Sequence, residues 1–289
     1  MRRFLRWIRN LLLALIALVL LAAATLYVLS ARIVHRSYEE PLVAIPIPRD
    51  SASIAEGGRL AWVHGCRGCH METLTGQDFE DNLLIGHLVA PNLTASAQKY
   101  SDPELLRIIR RGVRPDGRSV LAMPSEMFAP LTDADAGLII AYIRSLPPVS
   151  GYPPSITLGP LAWVGLVTSK YRPAAALVKV ADSLTAAGAY PTGDQPHADG
   201  AYLVRTSCTE CHGLALNGDF GPDLRVAATY TPEQFAHFFK TGEALGGRET
   251  KMMSQVARSR FSRLTDAHVA AVYGYLVARA AAPADTTAP

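Results

Sequence analysis

Two short segments of this sequence hold residues whose types and spacing can do chemistry. They are HGCRGCH, with Cys66, Cys69 and His70, and CTECH, with Cys208, Cys211 and His212. Cys-x-x-Cys-His is a signature of covalent heme attachment. Each pair of thiols is placed to form thioethers with the two vinyl positions of a heme, and each histidine to give one axial nitrogen to its iron. These are the chain's four cysteines, so attachment at both motifs leaves no thiol for a disulfide. A CxxC pair alone also suits a thioredoxin-like dithiol or a zinc site. The histidine directly after each pair, and the duplicated surroundings, argue against both.

An iron that only carries electrons needs a sixth ligand. Met123, in LAMPSEMF, is the first choice for the first motif, with Met127 as its competitor. The second motif offers adjacent Met252 and Met253, of which Met253 is favoured. A thioether ligand favours ferrous iron and raises the reduction potential. His237 and His87 are alternative ligands that read better as surface histidines, while His64 and His268 read as lead-in and helix residues. The expected metal ligands are therefore His70, Met123, His212 and Met253, with two covalently attached heme c groups as cofactors. A ligating histidine also needs its second nitrogen fixed by an acceptor. Pro91 in VAPNL and Pro222 in FGPDL lie where their carbonyls are able to serve, the plain alternative being two turn prolines.

The elements that must position these residues repeat as well. Gly58 stands eight residues before Cys66 and Gly200 eight before Cys208, with Leu60 and Leu203 nearby at unequal offsets. Leu131-Thr132-Asp133 precedes Tyr142 by the interval at which Leu264-Thr265-Asp266 precedes Tyr275. Landmarks repeated at both ends of a unit predict two domains of one design. Thr132 and Thr265 read as N-caps, and Asp135 at the third position predicts a capping box in the first copy alone. AGLIIAYIRSL and HVAAVYGYLVA continue as amphipathic helices, the first ended by Pro147 and Pro148.

The expected fold is all-α: two tandem heme domains behind an N-terminal transmembrane helix. The boundaries are 1–49 for anchor and connector, 50–148 for the first domain, 149–194 for a linker, 195–281 for the second domain and 282–289 for a disordered tail. The linker contains LGPLAWVGLV around Trp163, too apolar for a free tether, which suits either packing across the domains or a position near the membrane. With 289 residues, 49% hydrophobic and 18% charged, the chain has material for two ordinary cores. Its formal charge of +3 comes with no basic stripe or recognition module, so nucleic acid is not an expected partner.

Arg2, Arg3, Arg6 and Arg9 precede an apolar run from Leu11 to Leu29. As a helix at about 1.5 Å per residue that run spans roughly 28 Å, close to the hydrocarbon thickness of a bilayer. The arginines predict a cytoplasmic N-terminus and export of the chain beyond the helix. A cleaved signal peptide, with Ala22, Ala23 and Ala24 near its cleavage site, is the competing reading. Either one delivers the heme domains to the periplasm, and a retained helix at residues 11–29 meets membrane lipid.

These landmarks resemble class I cytochrome c domains joined in a diheme cytochrome c. The run APNLT…GVRPDGR…MPSEMF…LTDAD…AYIRSLPP is similar to membrane-anchored diheme cytochromes of bacteria and to the cytochrome subunits of periplasmic alcohol, aldehyde and gluconate dehydrogenases. The resemblance implies a crossing of the Gly-bearing and Tyr-bearing helices beside each heme, at Gly58 with Tyr142 and at Gly200 with Tyr275. It also implies histidine support at Pro91 and Pro222, and distal ligands at Met123 and Met253. The chain departs from that pattern in having Met253-Ser254 where the first copy has Met123-Pro124, and in having two attachment motifs where such subunits often carry three hemes. The function implied is electron transfer without a catalytic residue, in the bacterial inner membrane with both heme domains periplasmic. The donor is a periplasmic dehydrogenase or quinol-oxidising complex, and the acceptor a soluble cytochrome or terminal oxidase. A diheme peroxidase-like enzyme with one open iron is the alternative.

Overall fold

The computed structural model describes residues 1–186 and 198–282. The chain is mostly helical, 60% helix against 8% strand. Helix α1, Arg2–Val34, stands apart from the two cores; its most apolar window has a mean hydropathy of 2.8 and none of it is buried in protein. Such a helix fits a transmembrane span.

The first module runs α2 (Ser51–Val63), α3 (Cys66–Cys69), a hairpin of β1 (Gln77–Asn82) and β2 (Gly86–Ala90), α4 (Leu93–Lys99), α5 (Asp102–Arg111), α6 (Ser125–Phe128) and α7 (Asp133–Ser145). Then come β3 (Ile156–Leu158), α8 (Pro160–Val167) and α9 (Ala174–Ala186). The second module runs α10 (Ala198–Ser207), α11 (Thr209–His212), a 3-10 turn at Leu224–Thr229, α12 (Pro232–Thr241), the two-residue strands β4 (Glu243–Ala244) and β5 (Arg248–Glu249), α13 (Met252–Ser259) and α14 (Asp266–Ala281).

Each module is built on one crossing of two helices, α2 over α7 and α10 over α14. A Cβ on Gly57 would lie 2.0 Å from the Leu138 carbonyl oxygen, and one on Gly200 would lie 2.1 Å from that of Ala271. Only glycine permits backbones so close. Gly57, not Gly58, is thus the counterpart of Gly200; Gly58 sits one position on, its α-carbon facing the ring of Tyr142. The equal spacing of Gly58 and Gly200 to the cysteines is misleading because the two lead-ins differ by one residue. Gly65 adopts a left-handed conformation between α2 and α3, whereas α10 ends directly against Cys208. On the corrected register Leu60 matches Leu203, and both are buried in their respective cores.

The α5 and α12 helices are a second matched pair. Ser101 with Glu104, and Thr231 with Gln234, form full capping boxes, and Gly112 and Gly242 end the helices in left-handed conformations. Thr132 and Thr265 cap α7 and α14 through the amides of Asp135 and His268. The capping box expected at Asp135 is not closed within the helix. Its carboxylate instead accepts the hydroxyl of Tyr202 from the second module, and that hydroxyl accepts the Thr132 amide at 3.4 Å.

Two segments expected to be connectors are packed structure. Tyr38 donates its amide to Gly117 O, Glu40 pairs with Arg111, and Ile45 and Ile47 rest on the first core, so the stretch after α1 is tied along the first module. The linker contributes β3 to the edge of β2, α8 against α1, and α9 against α5 and α6. It packs on the first module and the N-terminal helix. The part of the linker beyond 186, the start of the second domain at 195 and the tail after Ala282 lie outside the described residues.

Candidate functional site

Each CxxCH motif folds as one helical turn. The His70 amide donates to Cys66 O at 3.0 Å, and the His212 amide to Cys208 O at 3.0 Å. Residues three and four apart share a face of a helix, so both cysteines and the histidine point the same way in each copy. The chain then turns identically. Leu74 and Leu216, four residues after the histidines, hold positive φ values of 58° and 60° while fully buried. Gly76 and Gly218 return their amides to the carbonyls of His70 and His212, each at 3.1 Å. A leucine in the left-handed region is strained, and complete burial of its side chain holds it there. The sequence carries a signal for this element that reading for ligands misses: histidine, three residues, leucine, one residue, glycine, in both copies.

These turns carry the chain to the prolines. His70 Nδ1 lies 2.7 Å from Pro91 O, and His212 Nδ1 lies 2.7 Å from Pro222 O. A carbonyl only accepts, so each Nδ1 bears a proton, and in the neutral ring that leaves Nε2 as the nitrogen with the lone pair. Among the described residues neither Nε2 has a hydrogen-bond partner. Burial holds the His70 ring below the usual imidazole range, partly offset by its bond to Pro91. Beside the second histidine, a Cβ on Gly221 would fall 2.6 Å from the imidazole Cε1, so only glycine lets the Pro222 loop close against the ring.

Burial also pushes the thiols up, Cys66 and Cys69 to about 11 and Cys208 to about 12, with Cys211 raised too. Reactive dithiols need the opposite shift. No group of three His, Cys, Asp or Glu side chains is gathered among the described residues as a closed metal site would require.

The methionines separate by environment. Met123 is half-buried at the edge of the first core, whereas Met127 is fully buried within it. Met253 packs against the second core and Met252 is 66% exposed. The capped helices fix the register: Met123 and Met253 each stand eleven residues after the terminating glycines, Gly112 and Gly242. His87 pairs with Asp78 on the hairpin and His237 with Glu243 on the surface. His268 lies in the first turn of α14.

The two motifs meet at the junction of the modules. Arg260 donates from Nε to Val63 O at 3.1 Å, from one terminal nitrogen to Glu210 at 3.3 Å and from the other to Ser207 O at 3.4 Å. Its charge lowers the thiols of all four cysteines against the effect of burial, and Glu210, inside the second motif, raises Cys69 of the first. His64, fully buried, adds a contact from its Nδ1 to Thr206 O at 2.9 Å.

Paired thiols, a fixed imidazole with a free Nε2 and a half-buried methionine in each core fit a covalently attached heme with two axial ligands. Bound there, heme supplies a one-electron ferric–ferrous couple. A helical module with this site is a c-type cytochrome, an electron-transfer heme protein. Residues 54–147 match the family model described as Cytochrome c. Residues 195–276 match the one described as Cytochrome C oxidase, cbb3-type, subunit III. The chain thus carries two cytochrome c domains, and cytochrome c families point to electron carriers rather than enzymes. No curated protein matches the chain.

Proposed function

We propose that the protein is a membrane-tethered diheme cytochrome c. In this reading it carries electrons in the periplasm from a dehydrogenase or quinol-oxidising complex to a soluble cytochrome or terminal oxidase. The observation that carries this reading is the same arrangement occurring twice: a CxxCH turn, a histidine held at 2.7 Å by a proline carbonyl, and a methionine eleven residues past a capped helix. His70 and Met123 ligate the first iron, His212 and Met253 the second. The domains span 50–148 and 195–281, and α1 is retained as the single anchor.

The chain's own groups set the redox behaviour. The Pro91 and Pro222 carbonyls orient each imidazole and increase its basicity. Arg260, close to both attachment turns, favours the less positive ferrous state of each iron. The meeting of the two turns around Arg260 and Glu210 supports transfer between the hemes across the junction. The second family match, to a cbb3-type oxidase subunit, favours an oxidase on the acceptor side.

Carbon monoxide binding to the fully reduced, heme-loaded protein tests the ligation. Neither heme binds it promptly if both irons hold a histidine and a methionine. Prompt uptake of one equivalent would reveal an open sixth position and turn the reading toward a peroxidase-like enzyme.

A further inference from the structure

The hairpin β1–β2 has no counterpart in the second module: 21 residues separate His70 from Pro91, against 10 between His212 and Pro222. It is an insertion in the first heme site, tied at its base to the attachment turn by Gln77, whose Nε2 donates to the Gly68 and Cys69 carbonyls. Its tip is Leu83, 96% exposed, and Leu84, 61% exposed. A tip of two bare leucines is costly in water and has no function inside the module.

The tip is nevertheless held firmly. Leu84 O accepts the amide of Leu161, Ile85 O accepts that of Gly159, and β3 pairs along β2. These bonds fasten it to the start of α8, PLAWVGLV, a helix without a charged residue whose Leu161 and Val164 are exposed at 57% and 38%. Helix α8 in turn lies on α1. The ring of Trp163 meets that of Tyr27 edge to face at 5.3 Å, and Leu166 shares a depression with Arg32, Ile33, Arg36 and Arg172.

The order along α8 therefore copies the order along α1. Along α1, Arg36 and Arg32 are followed by Tyr27 and then the Leu11–Leu29 run; beside them stand Arg172, just past the end of α8, then Trp163, then Leu161 with the hairpin tip. That is the sequence of layers met on entering a bilayer: phosphates, interface, hydrocarbon. From this we infer that the hairpin tip and α8 form a second membrane contact, with Leu83, Leu84 and Leu161 seated in the acyl boundary of the leaflet facing the heme domains. Tyr27 and Trp163 lie at its interface, and Arg32, Arg36 and Arg172 among the lipid phosphates. The contact fixes how the first heme domain sits on the membrane. It rests on the reading of α1 as a retained anchor.

Spin labels in the full-length, heme-loaded and reduced protein test this, after reconstitution in nanodiscs of phosphatidylcholine and phosphatidylglycerol. Single labels are placed through Leu83→Cys, Leu161→Cys, Leu18→Cys within α1, and Lys240→Cys on the second module. Relative accessibility to oxygen and to a water-soluble nickel chelate reports depth. Leu83 and Leu161 are exposed, so labels there do not disturb the fold. The expected result is oxygen-favouring collision at Leu83 and Leu161, as at Leu18, and chelate-favouring collision at Lys240. Chelate-favouring collision at Leu83 and Leu161 beside a lipid-embedded Leu18 would overturn the contact and leave the anchor standing. A water-exposed Leu18 would overturn the anchor and this contact with it.

Discussion

At the scale of single residues, the two adjacent methionines divide the work by environment. Met253 packs against the second core while Met252 faces solvent. Substituting Met253→Leu is expected to remove about half of the far-red methionine-to-iron charge-transfer absorption of the ferric protein. It should also lower one of the two reduction potentials, because a thioether favours ferrous iron. Met252→Leu should leave both unchanged. An unaltered spectrum in Met253→Leu, read by far-red absorption during a redox titration, would assign the ligand elsewhere. The sequence separates this pair poorly because adjacent methionines are equally apolar. What separates them is the eleven-residue interval from a helix-ending glycine, which gains meaning once α5 and α12 are seen as equivalent.

At the scale of elements, the helix crossings decide whether each heme site forms. In each module the helix leading into the CxxCH turn is held by close approach to the C-terminal helix. Gly57→Ala would force its methyl to 2.0 Å from a backbone carbonyl that cannot move without separating α2 from α7. The expected cost is about 3 kcal/mol, at the upper end of ordinary overpacking. Gly58→Ala meets the Tyr142 ring at 3.1 Å, which a small ring shift relieves, for a cost of about 1 kcal/mol. Denaturant unfolding of the two variants distinguishes them; a larger loss for Gly58→Ala would restore the register that cysteine spacing alone suggests. The hairpin is the other lesson at this scale. QDFEDN lacks the alternation of a half-buried strand, and its pairing relies on β2 and, beyond it, on β3 from some 70 residues away.

At the scale of the whole molecule, the module junction is a built interface with its own pH response. His64 lies fully buried there, with Nδ1–H donated to Thr206 O and Nε2 without a partner. Desolvation lowers it from the ordinary 6.5 to about 4. As pH falls below about 6.5 the unfolded chain takes up a proton that the folded chain refuses, so stability declines until about pH 4. Between pH 7.5 and pH 5 the loss from this group is about 2 kcal/mol. His64→Gln, which does not titrate, should lack that component when the two proteins are unfolded in denaturant at both pH values. Equal declines in both would show that His64 is not held neutral.

Much of the heme chemistry is legible in the chain itself, because CxxCH acts through one helical turn and its groups are set by neighbours in sequence. The same holds for the N-caps at Thr132 and Thr265 and for the apolar run of α1. Pairing of the histidines with Pro91 and Pro222 is readable as a possibility because the repeat places a proline after each motif. Tertiary structure alone decided the rest. It set Gly57 against Leu138, routed the expected Asp135 capping box through Tyr202 of the other module, gathered both attachment turns around Arg260, and laid the linker on α1 and the first module. Each of these joins residues distant in sequence through close packing or a single hydrogen bond. Such contacts leave no periodic trace, because one glycine, one tyrosine or one arginine at the right point in space is enough to make them.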